Sequence, residues 1–199
     1  QTLPVSHSGA AIFRDIKNGN GTFAGSTAAA NLGTGVLQNG RMVDSTLWNG
    51  DAYAIQFDVS AGVTTFDVVN TTMGTTVSSG LPYVSGGSIT FGGAQIEIKG
   101  EPANGDEFAV SPSQNQSVFD TFNGVLEAST SSGADKARLQ SQLNRAFVDF
   151  DQATNQALAA RTRVGVSQRQ IDDLSSDNEV QKVQRQSELA ELQDLDYAK

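Results

Sequence analysis

Residues 134–174, ADKARLQSQLNRAFVDFDQATNQALAARTRVGVSQRQIDDL, decide how this chain is read. Alternating steps of four and three select Leu139, Leu143, Ala146, Phe150, Ala153, Ala157, Ala160, Val164, Ser167, Ile171 and Leu174. All but Ser167 are apolar, and no proline interrupts the run. Between them lie Arg145, Asp149, Gln152, Gln156, Arg163 and Gln170, which suit a solvated face. The pattern predicts one long helix with a coiled-coil-like seam. At about 1.5 Å per residue it would run roughly 60 Å, about twice the diameter of a small domain. A β-rich remainder cannot cover such a rod, so the seam requires partner helices, and too few are expected in these residues.

Ala146, Ala153, Ala157 and Ala160 keep to the seam positions, with Gly165 beside Val164. Small residues there let helices approach closely, although alanine is also simply a good helix former. Past Leu174 the heptad fails, because continuing it would put Asn178, Gln181 and Arg185 inside. Val180 and Val183 start a shifted register, followed by Leu189, Leu192 and Leu195. The helix is expected either to kink near Ser175-Ser176-Asp177 or, the favoured reading, to continue with a rotated face to about Leu189.

Residues 1–110 read as β structure. Ser88 to Ile98 gives a hairpin across Gly92-Gly93, with Phe91 opposite Ala94 and Ile89 opposite Ile96. Ile89, Phe91, Ala94, Ile96 and Ile98 then share one face. Tyr53, Ile55, Phe57 and Val59 alternate with polar or small residues, and Val63 to Val69 should be the antiparallel neighbour across Ser60-Ala61-Gly62. Glycine-rich punctuation cuts the rest into short strands, about six to eight in all. After Ser111-Pro112-Ser113 the period becomes helical. Ser117 to Leu126 places Val118, Phe122, Val125 and Leu126 on one face, and Ser117-x-x-Asp120 resembles a capping box. Thr130 to Gly133 should turn the chain into the long helix. The expected fold is α+β: an antiparallel β-domain over 1–110, then over 111–199 a helical hairpin with one very long coiled-coil-like helix, a fragment of a larger bundle.

Composition narrows the function. The formal net charge is −9, with acidic residues in excess both before and after Val110, so no basic stripe exists for nucleic acid. There is no cysteine, and no apolar run reaches the ~20 residues that span a bilayer. The chain opens at Gln1 and its first methionine is Met42, so an excised fragment lacking its natural N-terminal part is expected.

Chemistry-bearing patterns are few. The lone histidine, His7, has no acidic residue placed nearby, and no G-x-S-x-G elbow accompanies it. A Cys-His site is excluded, and a multi-histidine metal site cannot be built from this chain. The glycines from Gly19 to Gly25 are wrongly spaced for a dinucleotide or phosphate loop, which leaves a turn. Asp172-Asp173, Asp177-x-Glu179 and Asp194-x-Asp196 lack calcium-loop spacing and read as solvated helix. Asp149 and Asp151 straddle Phe150, so they point apart on a helix and are no acid/base pair. No catalytic, cofactor or metal residue is expected.

Five stretches in order carry a resemblance. They are Asn18-Gly19-Asn20-Gly21-Thr22-Phe23, Gly100-Glu101-Pro102-Ala103-Asn104-Gly105-Asp106-Glu107-Phe108, Gln116-Ser117-Val118-Phe119-Asp120-Thr121, Ala160-Arg161-Thr162-Arg163-Val164-Gly165 and Asp194-Leu195-Asp196-Tyr197-Ala198. Together they resemble the hook-associated protein 3 family, the hook–filament junction proteins of the flagellin superfamily. Glu101 stands where that family more usually has a small residue. The resemblance implies a β-domain inserted between N- and C-terminal helical segments that pack as a bundle, with further terminal helices before Gln1 and after Lys199. It implies a mechanical role in the bacterial flagellum, as a ring of like subunits between hook-associated protein 1 and the flagellin filament. It further implies export through the flagellar type III channel, an export chaperone, an extracellular location, and neither active site nor cofactor.

Another class remains open beside it: a glycan-binding or phage-tail-like β-module on a helical stalk, with Trp48, Tyr53 or Tyr83 as stacking platforms. A hydrolase is a distant third.

Overall fold

A computed structural model describes residues 9–130 and 136–197. Packing divides them into two units, residues up to 156 and residues from 157, taken in turn.

The first unit begins with a short helix, α1 (Gly9–Phe13), and the strand β1 (Ile16–Lys17). Then come β2 (Phe23–Thr27), β3 (Val36–Leu37), β4 (Arg41–Met42), β5 (Tyr53–Ser60), β6 (Val63–Asn70), β7 (Thr75–Pro82), β8 (Ser88–Phe91), β9 (Ala94–Lys99), β10 (Glu107–Pro112) and β11 (Asn115–Gln116). Two helices follow, α2 (Val118–Thr130) and α3 (Lys136–Tyr197). The architecture is α+β with antiparallel sheets, as the sequence pattern implies. Eleven strands stand among the described residues against the expected six to eight. Four of them, β1, β3, β4 and β11, are two-residue pairings too short to leave an alternating pattern.

Five strands form one sheet in the order β2-β10-β5-β6-β7. β9 centres a second sheet, with β8 on one edge and β3 then β4 along the other. The hairpin pairs Phe91 with Ala94 and Ile89 with Ile96, in the expected register. β5 and β6 pair from Tyr53↔Asn70 to Ser60↔Val63, so Ser60 is in the strand and the turn shrinks to Ala61-Gly62. Both turn residues have positive φ, 50° and 78°, the geometry that suits the twist of a tight hairpin. Inward side chains of both sheets merge into one core, with Ile55, Ile98, Phe108 and Val110 fully buried. Each such side chain contributes roughly 1.5–3 kcal/mol of transfer free energy.

Two polar knots close the loops of this unit. The Asp106 carboxylate accepts the N–H groups of Leu32, Gly33 and Ala103, at 2.8, 3.1 and 2.9 Å. Asn104 Oδ1 accepts the Val59 N–H at 3.0 Å, which ties the same loop to the end of β5.

At the start of α2 the expected capping box is present. The Ser117 N–H donates to the Asp120 carboxylate at 3.1 Å, and Ser117 Oγ accepts the Phe119 N–H at 3.2 Å. The expected apolar face of α2 is not its buried face. Of its four residues Val118 and Val125 are half-buried and Phe122 and Leu126 exposed, while the buried residues of α2 are Thr121 and Ala128; Phe119 is exposed as well. The turn expected over Thr130 to Gly133 lies, past Thr130, outside the described residues.

The second unit holds the remainder of α3, helical through Ser175-Ser176-Asp177 and on to Tyr197 rather than ending near Leu189. No glycine or proline follows Gly165, and serine or asparagine costs a helix only tenths of a kcal/mol.

Candidate assembly interface

The first turns of α3 carry two different faces. One is polar and sits on the β-domain. Ser141 Oγ accepts the Leu37 N–H at 3.0 Å, and Asn144 Nδ2 donates to the Leu37 carbonyl at 3.2 Å. Leu37 lies on β3, whose inner edge pairs with β9. Its outer edge would otherwise present bare backbone groups, and these two side chains satisfy them. Farther along, Gln156 Nε2 donates to the Asp15 carbonyl at 3.2 Å.

Asp149 is the centre of this face, 4 % exposed. Its Oδ1 accepts the Gly19 N–H at 2.6 Å, and its Oδ2 accepts Gln116 Nε2 at 2.7 Å. Arg145, one turn earlier on α3, brings Nε to 3.8 Å. The same Gln116 amide donates to Thr121 Oγ1 at 2.8 Å. One carboxylate thereby ties the turn before β2, the strand β11, the first turns of α2 and the helix α3. A buried carboxylate is tolerated where donors meet it, as these do. The sequence pattern assigned Arg145, Asp149, Gln152 and Gln156 to a solvated face. That assignment is corrected: Asp149 is buried and the other three are half-buried. Polar residues at helical spacing look alike whether water or a neighbouring backbone satisfies them.

The other face is apolar. On α2, Phe119, Phe122 and Leu126 are about 60 % exposed, at spacings of three and four. On α3, Leu143 and Phe147 are exposed and Phe150 is half-buried, at spacings of four and three. The rings of Phe122 and Phe150 meet with centroids 4.8 Å apart, so the two rows adjoin as one strip. Surface leucines scattered singly are ordinary, whereas an exposed aromatic strip shared by two helices is a candidate contact surface.

Of the seam positions in this unit, Ala146 is buried, Leu139, Phe150 and Ala153 are half-buried, and Leu143 is exposed. In the second unit Ala160 is buried, while Ala157, Val164, Ile171 and Leu174 are exposed. Val180, Val183, Leu189 and Leu192 of the shifted register are exposed as well.

Of the aromatic platforms of the alternative reading, Tyr53 belongs to the core, and Trp48 and Tyr83 pack against it half-buried. Tyr53 is buried, its ring 4.9 Å from Phe91 and 6.1 Å from Trp48. Trp48 packs against Phe23, and Tyr83 packs edge-on against Phe57 with its hydroxyl on the carbonyls of Ile98 and Gly100. Burial pushes the Tyr83 hydroxyl above its ordinary pKa. His7 lies outside the described residues. Among the described residues no three acidic or histidine side chains gather as a metal site would need, and no helix is long and apolar enough to cross a membrane.

No protein-family model and no curated protein matches the sequence. Solved structures do. The flagellar junction protein FlgL from Legionella pneumophila superposes with a TM-score of 0.78 at 28 % identity, over 88 % of this chain and 57 % of that one. Flagellar hook associated protein-3 from the same organism gives 0.86 at 27 % identity, over 96 % and 61 %. FlgL of Xanthomonas campestris gives 0.79 at 30 % identity, over 92 % and 59 %. This chain has the flagellar junction-protein fold. It spans less than two thirds of the length of each of those junction proteins.

Within the junction-protein fold, the first three of the five motifs that carried the resemblance have structural employment. Asn18-Gly19-Asn20-Gly21 is the turn that reaches Asp149. A Cβ on Gly19, at φ 60°, would run into the Phe23 carbonyl, so only glycine fits there. Asn20 Oδ1 holds the turn by accepting the N–H groups of Thr22 and Phe23. Asp106 and Asn104 supply the knots in the second motif, and Gln116, Ser117 and Thr121 the contacts in the third. Of the residues missed as structural, Asp149 could have been found through the Asn18–Gly21 motif, whose Gly19 N–H needs a partner; Ser141 and Asn144, which hold Leu37, left no signal in the sequence.

Proposed function

We propose that this chain is part of a structural component of the bacterial flagellum at the hook–filament junction. In this reading 1–110 is an outer β-domain, and 111–199 is the part of a helical bundle that awaits helices from outside these residues. The observation that carries it is the exposed aromatic strip of α2 and α3 in the first unit, on a chain with the junction-protein fold; in the second unit Ala157, Val164, Ile171 and Leu174 are exposed too. Leu139, Leu143, Ala146, Phe150, Ala153, Ala157, Ala160, Val164, Ile171 and Leu174 are the residues assigned to bundle contacts.

The mechanism is packing rather than catalysis. Helices continue a lattice of axial helices, and β-domains of neighbouring subunits make lateral contacts in a ring. Hook-associated protein 1 on one side and flagellin on the other are the assigned neighbours, reached after export through the flagellar type III channel with a chaperone.

The test is to restore the protein's own residues before Gln1 and follow thermal unfolding. Covering the aromatic strip should raise the melting temperature by several degrees, since a few kcal/mol of apolar burial suffices for that in a domain of this size. An unchanged melting temperature would count against the bundle.

A further inference from the structure

The sequence contains six Asn-Gly pairs, at Asn18, Asn20, Asn39, Asn49, Asn104 and Asn123. This dipeptide carries an intrinsic chemistry. The glycine amide nitrogen can attack the preceding side-chain amide, because no glycine side chain obstructs it. The reaction requires that the asparagine side chain be free and that the glycine N–H be unengaged and able to swing toward it.

Five of the six are held. The Gly19 N–H donates to Asp149, and Asn18 Oδ1 accepts the Gln114 N–H. Asn20 Oδ1 accepts two backbone N–H groups. Asn49 is engaged at both ends of its amide, by the Asp51 N–H and the Asp51 carboxylate. Asn104 Oδ1 holds the Val59 N–H while the Gly105 N–H donates to the Phe57 carbonyl. Asn123-Gly124 lies inside α2, where the helix fixes the backbone.

Asn39-Gly40 differs in each respect. The Asn39 side chain is exposed, and neither it nor the Gly40 N–H has a hydrogen-bond partner among the described residues. The pair also sits at a break in the ladder. Leu37 opposes Ile98 and Arg41 opposes Gln95, so three residues, 38–40, face two, 96–97. An extra residue of this kind is a β-bulge, which leaves backbone unpaired.

We propose that Asn39 is a site of spontaneous deamidation, selected among the six pairs by this bulge. The Gly40 nitrogen attacks Asn39 Cγ. The new N–Cγ bond forms as the Cγ–Nδ2 bond breaks, and Nδ2 departs as ammonia with the proton from the Gly40 nitrogen. Water then opens the cyclic imide. Cleavage at Cγ yields aspartate, and cleavage at the backbone carbonyl yields isoaspartate. Net, one ammonia is lost and one water gained, with one more negative charge on a chain already at −9.

The position gives the change a structural consequence. The Gly40 carbonyl accepts Asn20 Nδ2 at 3.2 Å, and Asn20 shapes the turn whose Gly19 N–H reaches Asp149. Isoaspartate reroutes the backbone through the side chain and lengthens it within the bulge. The β-domain then loosens where it is tied to α3.

The test is to age the purified chain in mildly alkaline buffer and locate deamidated asparagines by peptide mass spectrometry. A trypsin cut after Arg41 separates Asn39 from Asn49, and fragmentation separates it from Asn18 and Asn20. Conversion at Asn39 should exceed that at each other Asn-Gly pair several-fold. In denaturant the six should react at comparable rates. Asn39→Gln, a conservative exchange at an exposed position, should remove the folded-state product. Equal conversion at the six pairs in the folded protein, or faster conversion at any other, overturns the proposal.

Discussion

Removing the Asp149 carboxylate strands donors from separate segments: the Gly19 N–H, the Gln116 amide and, more loosely, Arg145. Each buried group left without a partner costs about 1–3 kcal/mol. Asp149→Ala is therefore expected to lower stability by roughly 2–4 kcal/mol in a urea titration. A loss well below that range would mean that water replaces the carboxylate. Tyr83 supplies a pH-dependent counterpart. Its hydroxyl pKa is raised from 10.0, first by burial, so the folded state disfavours the phenolate. Below pH 10 both states keep the proton and stability is flat. As pH rises beyond that value the unfolded chain ionises first, and stability falls until the folded pKa is passed. Alkaline unfolding monitored in parallel with Tyr83→Phe checks this, because the variant lacks the titrating group and should show a shallower alkaline loss.

α2 and α3 differ in what their patterns reveal. The start of α2 was legible because a capping box is local: the serine hydroxyl accepts the Phe119 N–H, and the carboxylate three residues on accepts the serine N–H, whatever lies around them. Ser117→Ala removes one half of that exchange and is expected to cost about 1 kcal/mol, seen as a lower urea midpoint with an unchanged slope. Its apolar face was equally legible, but not its surroundings, since periodicity tells which side is apolar and not whether anything covers it. α3 shows the converse. Its polar side, Ser141 to Gln156, is used to cap the edge of β3 and to hold a turn and two further segments. The short strands β1, β3, β4 and β11 escaped for a related reason, because two residues cannot show a period. β5, β6, β8 and β9 were legible because alternation and two-residue turns fix register together.

The whole chain separates its own stability from its proposed role in assembly. Ala157 is exposed, so Ala157→Glu should leave the melting temperature of this chain nearly unchanged, as surface changes usually do. In an assembled bundle the same carboxylate would be buried without a partner. The variant protein is therefore expected to fold and yet fail to support motility in the bacterium that carries it. Full motility in that strain would remove Ala157 from the bundle contacts.

Period and punctuation were enough to settle an α+β chain with a two-residue glycine hairpin, a long helix and a capped helix before it, since each follows from contacts a few residues apart. Long-range packing settled the rest. It buried Asp149 against Gly19 and Gln116, placed Tyr53 in the core with Trp48 packed against it, and left the α2–α3 aromatic strip bare. Those outcomes depend on which groups of separate segments meet, 33 residues apart for Gln116 and Asp149 and 130 for Gly19 and Asp149, and a one-dimensional pattern carries no record of such meetings.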